Sequence, residues 1–143
     1  MKLNHIGFVV AKIDEFAETL KAIGFGALTS PVPDYNNNVN ASFVPIGEKD
    51  DVFLEVLEPI GERSAIAGFL KKTGGGLHHL CFEVDDIEKA SQELEKKGFK
   101  MVSSPAQCPA YDENLSRTCE GVTKISFFLI PNRLLIELLE KGR

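Results

Sequence analysis

HIGFVVAKIDEFAETLKAIGF at 5–25 and HLCFEVDDIEKASQELEKKGF at 79–99 align without a gap at an offset of 74. The match sets His5 against His79, Phe8 against Phe82, Val10 against Val84, Ile13 against Ile87, Leu20 against Leu94 and Gly24–Phe25 against Gly98–Phe99. Agreement of a rare histidine with a whole apolar frame is improbable by chance, so the chain is read as an internal repeat. FLEVLEP at 53–59 resembles LIELLEK at 135–141 and sets Glu55 against Glu137 at an offset of 82. The eight extra residues of the second copy are expected in a longer loop within 103–121.

Each copy reads locally as strand, helix, then three strands. Residues 3–10 and 78–84 alternate in the manner of strands, with β-branched and aromatic residues in support. Ile13, Phe16, Ala17, Leu20 and Ile23 recur at helical spacing, and Asp85 or Asp86 can cap the matching helix ahead of Ile87, Ala90 and Leu94. Gly24 and Gly98 mark the helix ends. Further strands are expected at 26–31, 39–46 and 51–58, and again at 99–103, 122–129 and 133–140. PVPDYNNNVN at 31–40 reads as a turn-rich loop, and 104–121 as a second loop broken by Pro105 and Pro109. Within 61–76, ERSAIAGFLKK is expected to form a short connecting helix, stopped by Gly74–Gly75–Gly76. That triplet lacks the spacing of a phosphate loop. The expected organisation is α+β: one domain over 1–143, with a βαβββ module at 1–60, a connector at 61–76 and a second module at 77–143.

Whole-chain totals narrow the function. The 143 residues are 43% hydrophobic, enough for one core without disulfides. Sixteen basic against 21 acidic residues give a net charge of −5 with no basic block, which argues against nucleic-acid binding. The opening residues lack a secretory pattern and no apolar run reaches about 18 residues, so a cytoplasmic protein without a membrane span is expected. Cys81, Cys108 and Cys119 show no CxxC spacing and read as reduced thiols, Cys81 packed rather than nucleophilic.

Period two assigns the side chains to faces. His5 shares its face with Gly7, whose missing side chain leaves space beside the imidazole. His79 points with Cys81 and Glu83, whereas His78 is expected on the helix-packed side or at the rim. Glu55 and Glu137 lie in apolar strands, where an ionised carboxylate is costly unless compensated. Two histidines and two glutamates at repeat-related positions can compensate one another by enclosing a cation. Nitrogen and oxygen donors in equal number suit Co²⁺, Ni²⁺, Mn²⁺ or Zn²⁺ better than a dedicated Ca²⁺ or Mg²⁺ cage.

NHIGFVV at 4–10, EVLEP at 55–59, GLHHLCFEVDDIEKA at 76–90 and LLIELLE at 134–140 resemble the vicinal oxygen chelate superfamily, with its methylmalonyl-CoA epimerase branch nearest and glyoxalase I more distant. The resemblance spans almost the whole chain. It implies paired βαβββ modules forming a curved mixed sheet around a metal-binding cleft, commonly in a homodimer. It implies His5, Glu55, His79 and Glu137 as metal ligands, with Glu137 and Glu55 as the proton-transfer groups. The activity implied is metal-dependent epimerisation of a small-molecule thioester by proton abstraction. Its alternatives are a lactoylglutathione lyase acting on a thiol conjugate and a non-catalytic antibiotic-binding protein. The second catalytic glutamate of an epimerase falls near Ala41, and Glu48 lies too far along, in IGEKDD, to replace it. Recognition of CoA would draw on Lys71, Lys72, Arg117, Lys124 or Arg133.

Overall fold

A computed structural model describes residues 1–49 and 51–143. Eight strands form one mixed sheet: β1 (Lys2–Val9), β2 (Val32–Asp34), β3 (Val39–Pro45), β4 (Phe53–Pro59), β5 (Gly76–Glu83), β6 (Lys100–Gln107), β7 (Lys124–Ile130) and β8 (Leu134–Glu140). Their order is β2-β3-β4-β1-β5-β8-β7-β6. Each copy thus contributes four adjacent strands, and the two copies meet where β1 pairs antiparallel with β5. Within each copy the first strand runs parallel to the last, β1 with β4 and β5 with β8. This is the tandem βαβββ architecture expected from the repeat.

Helices α1 (Ile13–Ala22) and α3 (Ile87–Lys96) cover the outer face. Ile13 and Leu20 pack with Val44 and Val56, and Ile87 packs with Phe128 and Leu138. The repeat extends to hydrogen bonds. The Ile13 amide donates to Glu58 Oε2 at 2.8 Å, and the Ile87 amide donates to Glu140 Oε2, also at 2.8 Å. Each module's last strand therefore caps its own helix with a carboxylate, where the helix dipole favours negative charge. Asp86 adds a side-chain cap to α3 by accepting from the Lys89 amide. Gly24 and Gly98 adopt positive φ just past the helices, as expected.

Two expected elements fall elsewhere. Residues 26–31 form no strand; β2 lies instead within the expected loop, pairing Val32 with Ala41 and Asp34 with Val39. Asp34 accepts from the Asn36 amide and from Asn37 Nδ2, closing the turn that folds VPD back onto β3. Pro33 is tolerated because β2 is an edge strand. The expected loop 104–121 begins with the end of β6 and then forms α4 (Pro109–Asn114). Pro105 sits on the other edge strand, and Pro109 opens α4 where its absent amide leaves no bond unmade. The connector forms α2 (Ala67–Thr73), ended by Gly74 in the left-handed conformation. In the IGEKDD turn, Asp50 lies outside the described residues.

Helix α4 belongs to the second module but packs on β2 and β3 of the first. Asn114 donates to the Ala41 carbonyl at 2.6 Å. Buried Asp112 holds the other side, accepting from the Thr123 amide at 2.9 Å and from Arg117 Nη1 at 2.7 Å. Asp112→Ala should lower stability by about 2–4 kcal/mol in urea unfolding, because it leaves a guanidinium and a buried amide without their acceptor.

Candidate metal centre

The inner face of the sheet lines a cavity of about 300 Å³. At its floor the four repeat-related side chains converge, one each from β1, β4, β5 and β8. His5 Nε2 lies 3.2 Å from Glu55 Oε2 and 3.2 Å from Glu137 Oε2. His79 Nε2 lies 3.2 Å from Glu55 Oε2 and 2.9 Å from Glu137 Oε2. The two Nε2 atoms are 3.1 Å apart. His5, His79 and Glu137 are buried, and the Glu55 side chain is 13% exposed toward the cavity.

Four donors at this spacing suit a first-row divalent ion, whose bonds to imidazole nitrogen and carboxylate oxygen are about 2.0–2.2 Å. Without an ion the same groups share protons. Burial opposes charge on His5 and His79, yet the carboxylates of Glu55 and Glu137 raise both above the usual histidine value, His5 well above it. Burial likewise opposes ionisation of Glu55 and Glu137, but His5 and His79 hold both below the ordinary carboxylate range. The cluster thus sets two carboxylates against two imidazoles whose hold on a proton they strengthen, a concentration of negative charge that one divalent cation can balance. Cys81, directly below, is pushed up to about 12 by burial and by Glu137, so it stays a packed thiol.

A second set of contacts was not foreseen. β1 and β5 each carry a one-residue bulge: pairing passes from Leu3–Phe82 to His5–Cys81 and from Gly7–His79 to Phe8–Leu77, leaving Asn4 and His78 as the extra residues. Each bulged residue turns toward the histidine that follows it. Asn4 Oδ1 lies 2.7 Å from His5 Nδ1, and His78 Nδ1 lies 2.9 Å from His79 Nδ1. Asn4 Nδ2 donates to Glu83 Oε1 at 2.8 Å, itself 2.6 Å from Lys141 Nζ, and to the Tyr111 hydroxyl at 2.8 Å. A carboxylate only accepts, so the amide orientation is fixed and His5 Nδ1–H is the donor to Asn4. His5 Nε2 consequently faces the cluster. His78, expected on the helix side or rim, lines the cavity and meets the Phe69 ring edge-on because the bulge interrupts the period of two. Burial and the neighbouring His79 lower His78 to about 4. The missed signal was the repeat itself, since the offset that pairs His5 with His79 also pairs Asn4 with His78.

The rest of the wall is mostly apolar, with Phe43, Leu57, Ile66, Ile125, Phe127 and Leu135 around the cluster. Tyr111 from α4 also faces it, and Ala41 stands where an epimerase's second glutamate was expected. Asp34, Glu55 and Glu137 are the carboxylates among the described lining residues. None of Lys71, Lys72, Arg117, Lys124 and Arg133 lines this cavity. Arg117 is held by Asp112, and Lys124 pairs with Glu88 at 2.6 Å. Among the described residues no helix is long and apolar enough to cross a membrane.

Comparison with known proteins matches residues 4–115 to the model of the Glyoxalase/Bleomycin resistance protein/Dioxygenase superfamily. The mitochondrial methylmalonyl-CoA epimerase of Bos taurus is 35% identical over 111 residues, covering 77% of this chain and 62% of that protein. The Homo sapiens enzyme of the same name is 33% identical over 126 residues, covering 85% of this chain and 70% of that protein. The fold is shared with a variant of the Streptomyces coelicolor methylmalonyl-CoA epimerase in complex with 2-nitronate-propionyl-CoA, at a TM-score of 0.80, 23% identity and coverage of 100% and 99% of the two chains. The repeated βαβββ sheet, its four-residue cluster and these matches make the chain a member of the Glyoxalase/Bleomycin resistance protein/Dioxygenase superfamily.

Proposed function

We propose that the chain is a metal-dependent epimerase of methylmalonyl-CoA or a related acyl-CoA, acting by proton abstraction next to the thioester. The observation that carries the reading is the buried cluster of His5, Glu55, His79 and Glu137, set in a fold whose named relatives are methylmalonyl-CoA epimerases. These four residues would hold one Co²⁺, Ni²⁺, Mn²⁺ or Zn²⁺ ion. Such an ion supplies stabilisation for negative charge growing on the thioester oxygen as the α-proton leaves.

The chain's own groups do the rest. Glu137 takes the proton on one face of the α-carbon, and Glu55, more exposed to the cavity, serves the opposite face in place of the glutamate absent at Ala41. The apolar wall around them excludes water from the carbanion-like centre. Metal-reconstituted protein should exchange the α-proton of methylmalonyl-CoA in D₂O and interconvert its stereoisomers. Absence of exchange in verified metal-loaded protein would overturn the assignment. A second reading, isomerisation of a hemithioacetal as in lactoylglutathione lyase, is favoured by the combination of Ala41 with a glutamate at 55; turnover of that substrate without methylmalonyl exchange would select it.

Metal binding should strengthen with rising pH. Each imidazole must lose its proton to bind, and both hold theirs above the usual histidine range, whereas the carboxylates are already ionised. Affinity is therefore lost as pH falls through the raised histidine values, with up to about two protons released per ion. Titration with Co²⁺ at pH 6 and pH 8 checks the direction. The same reading includes a cytoplasmic homodimer of a single-domain chain, by family resemblance. Light scattering should give about twice the chain mass of 15.7 kDa.

A further inference from the structure

We propose that His78 is a positioning residue, which accepts a hydrogen bond from Nδ1–H of His79 and so aims the Nε2 lone pair of His79 at the metal. The inference rests on the metal-dependent reading above. His79 Nε2 is the ring atom that faces Glu55 and Glu137, at 3.2 and 2.9 Å. When Nε2 binds an ion it carries no proton, so the ring proton sits on Nδ1 and needs an acceptor. Among the described residues the acceptor in reach is His78 Nδ1 at 2.9 Å. Ligating histidines generally need this partner to fix tautomer and ring orientation.

The repeat argues that the contact is built in. On the other strand the same task falls to Asn4, which accepts from His5 Nδ1 at 2.7 Å. Both acceptors are the extra residue of a β-bulge, both immediately precede their histidine, and the two are separated by the repeat offset. A regular strand would have sent these side chains to the opposite face, away from the rings they hold. The two copies thus solve one geometric problem with different chemistry, an amide oxygen on β1 and an imidazole nitrogen on β5. His78 is kept in place by the edge-on contact with Phe69 of α2, at a centroid separation of 4.9 Å. Through His78 the connector helix is thereby tied to His79.

The test compares His78→Leu, which fills the space but accepts nothing, with His78→Asn, which copies the Asn4 solution. Co²⁺ affinity is measured by equilibrium dialysis, with the visible absorption of bound Co²⁺ as a report on ligand geometry and thermal unfolding of the metal-free proteins as a control. His78→Leu should weaken binding about 10–100-fold and change the spectrum, while His78→Asn should recover most of the affinity and the wild-type band. Wild-type affinity in His78→Leu would overturn the inference alone, as would equal losses in both variants. Failure of the wild-type protein to bind Co²⁺ would overturn the metal-dependent reading and this inference together. If His78→Leu fails to fold, His78→Asn still decides: a loss of more than about tenfold in that variant, against intact folding, contradicts an acceptor role.

Discussion

Gly7→Ala should weaken metal binding by about 10–100-fold while leaving the fold in place. Gly7 sits opposite His79 in the β1–β5 ladder, and a methyl group there would overlap the His79 ring itself, at Cε1 and Nδ1. The ring has nowhere to go. It is 1% exposed and bounded edge-on by His5, His78 and Phe127. Backbone and ring must part by about an ångström or more, a strain of about 1–3 kcal/mol and the loss of one ligand direction. Circular dichroism should stay close to wild type, and Co²⁺ dialysis should read the loss. Gly68→Ala is the matching control, since a Cβ there meets nothing within 4 Å. Unchanged Co²⁺ affinity in Gly7→Ala would mean that His79 does not bind the ion in the position described.

Glutamine at each glutamate in turn separates the two proton-transfer roles. Glu137→Gln should lower α-proton exchange by about 10²–10⁴-fold, the usual contribution of a positioned acid–base group. Glu55→Gln keeps an oxygen for the ion and should retain exchange, but it should slow conversion between stereoisomers by a comparable factor, because no other base serves that face. Ala41 offers none, and Asp34 is committed to the turn through Asn36 and Asn37. Loss of exchange and conversion in parallel in Glu55→Gln would identify Glu55 as the first base rather than the second. Full conversion in that variant would remove it from the chemistry.

The framework of both modules was legible because it repeats. The repeat pairs His5 with His79 and Glu55 with Glu137, the four residues that form the cluster, and its apolar frame marks α1 and α3. What escaped was structure that departs from a period or depends on a distant partner. β2 is three residues long and exists because Asp34 closes its own turn, a side-chain effect that hydrophobic alternation does not encode. Helix α4 has six residues and is held by Asn114 on β3, 73 positions away, and by Asp112 on Thr123 across the following loop, side-chain contacts that hydrophobic periodicity does not encode. The bulges at Asn4 and His78 break the alternation on which the face assignments rested. The basic residues considered for CoA were read from composition, which says nothing about where a side chain is tethered. Arg117 proved to belong to the Asp112 network.

His5 and Glu137 are 132 positions apart, and each module supplies one histidine and one glutamate to the cluster. In the proposed metal-bound form neither half of the chain would hold the ion alone, since the four-residue pocket is complete only when the β1–β5 seam has closed. An ion present at about 100 times its dissociation constant would then add about 2.7 kcal/mol to the folded state and nothing to a half-folded one. Metal would convert two similar units, each able in principle to fray by itself, into one cooperative transition. Chelation should therefore broaden the unfolding curve as well as shift its midpoint, and the appearance of bound ion during refolding should time the docking of the two halves rather than the formation of either.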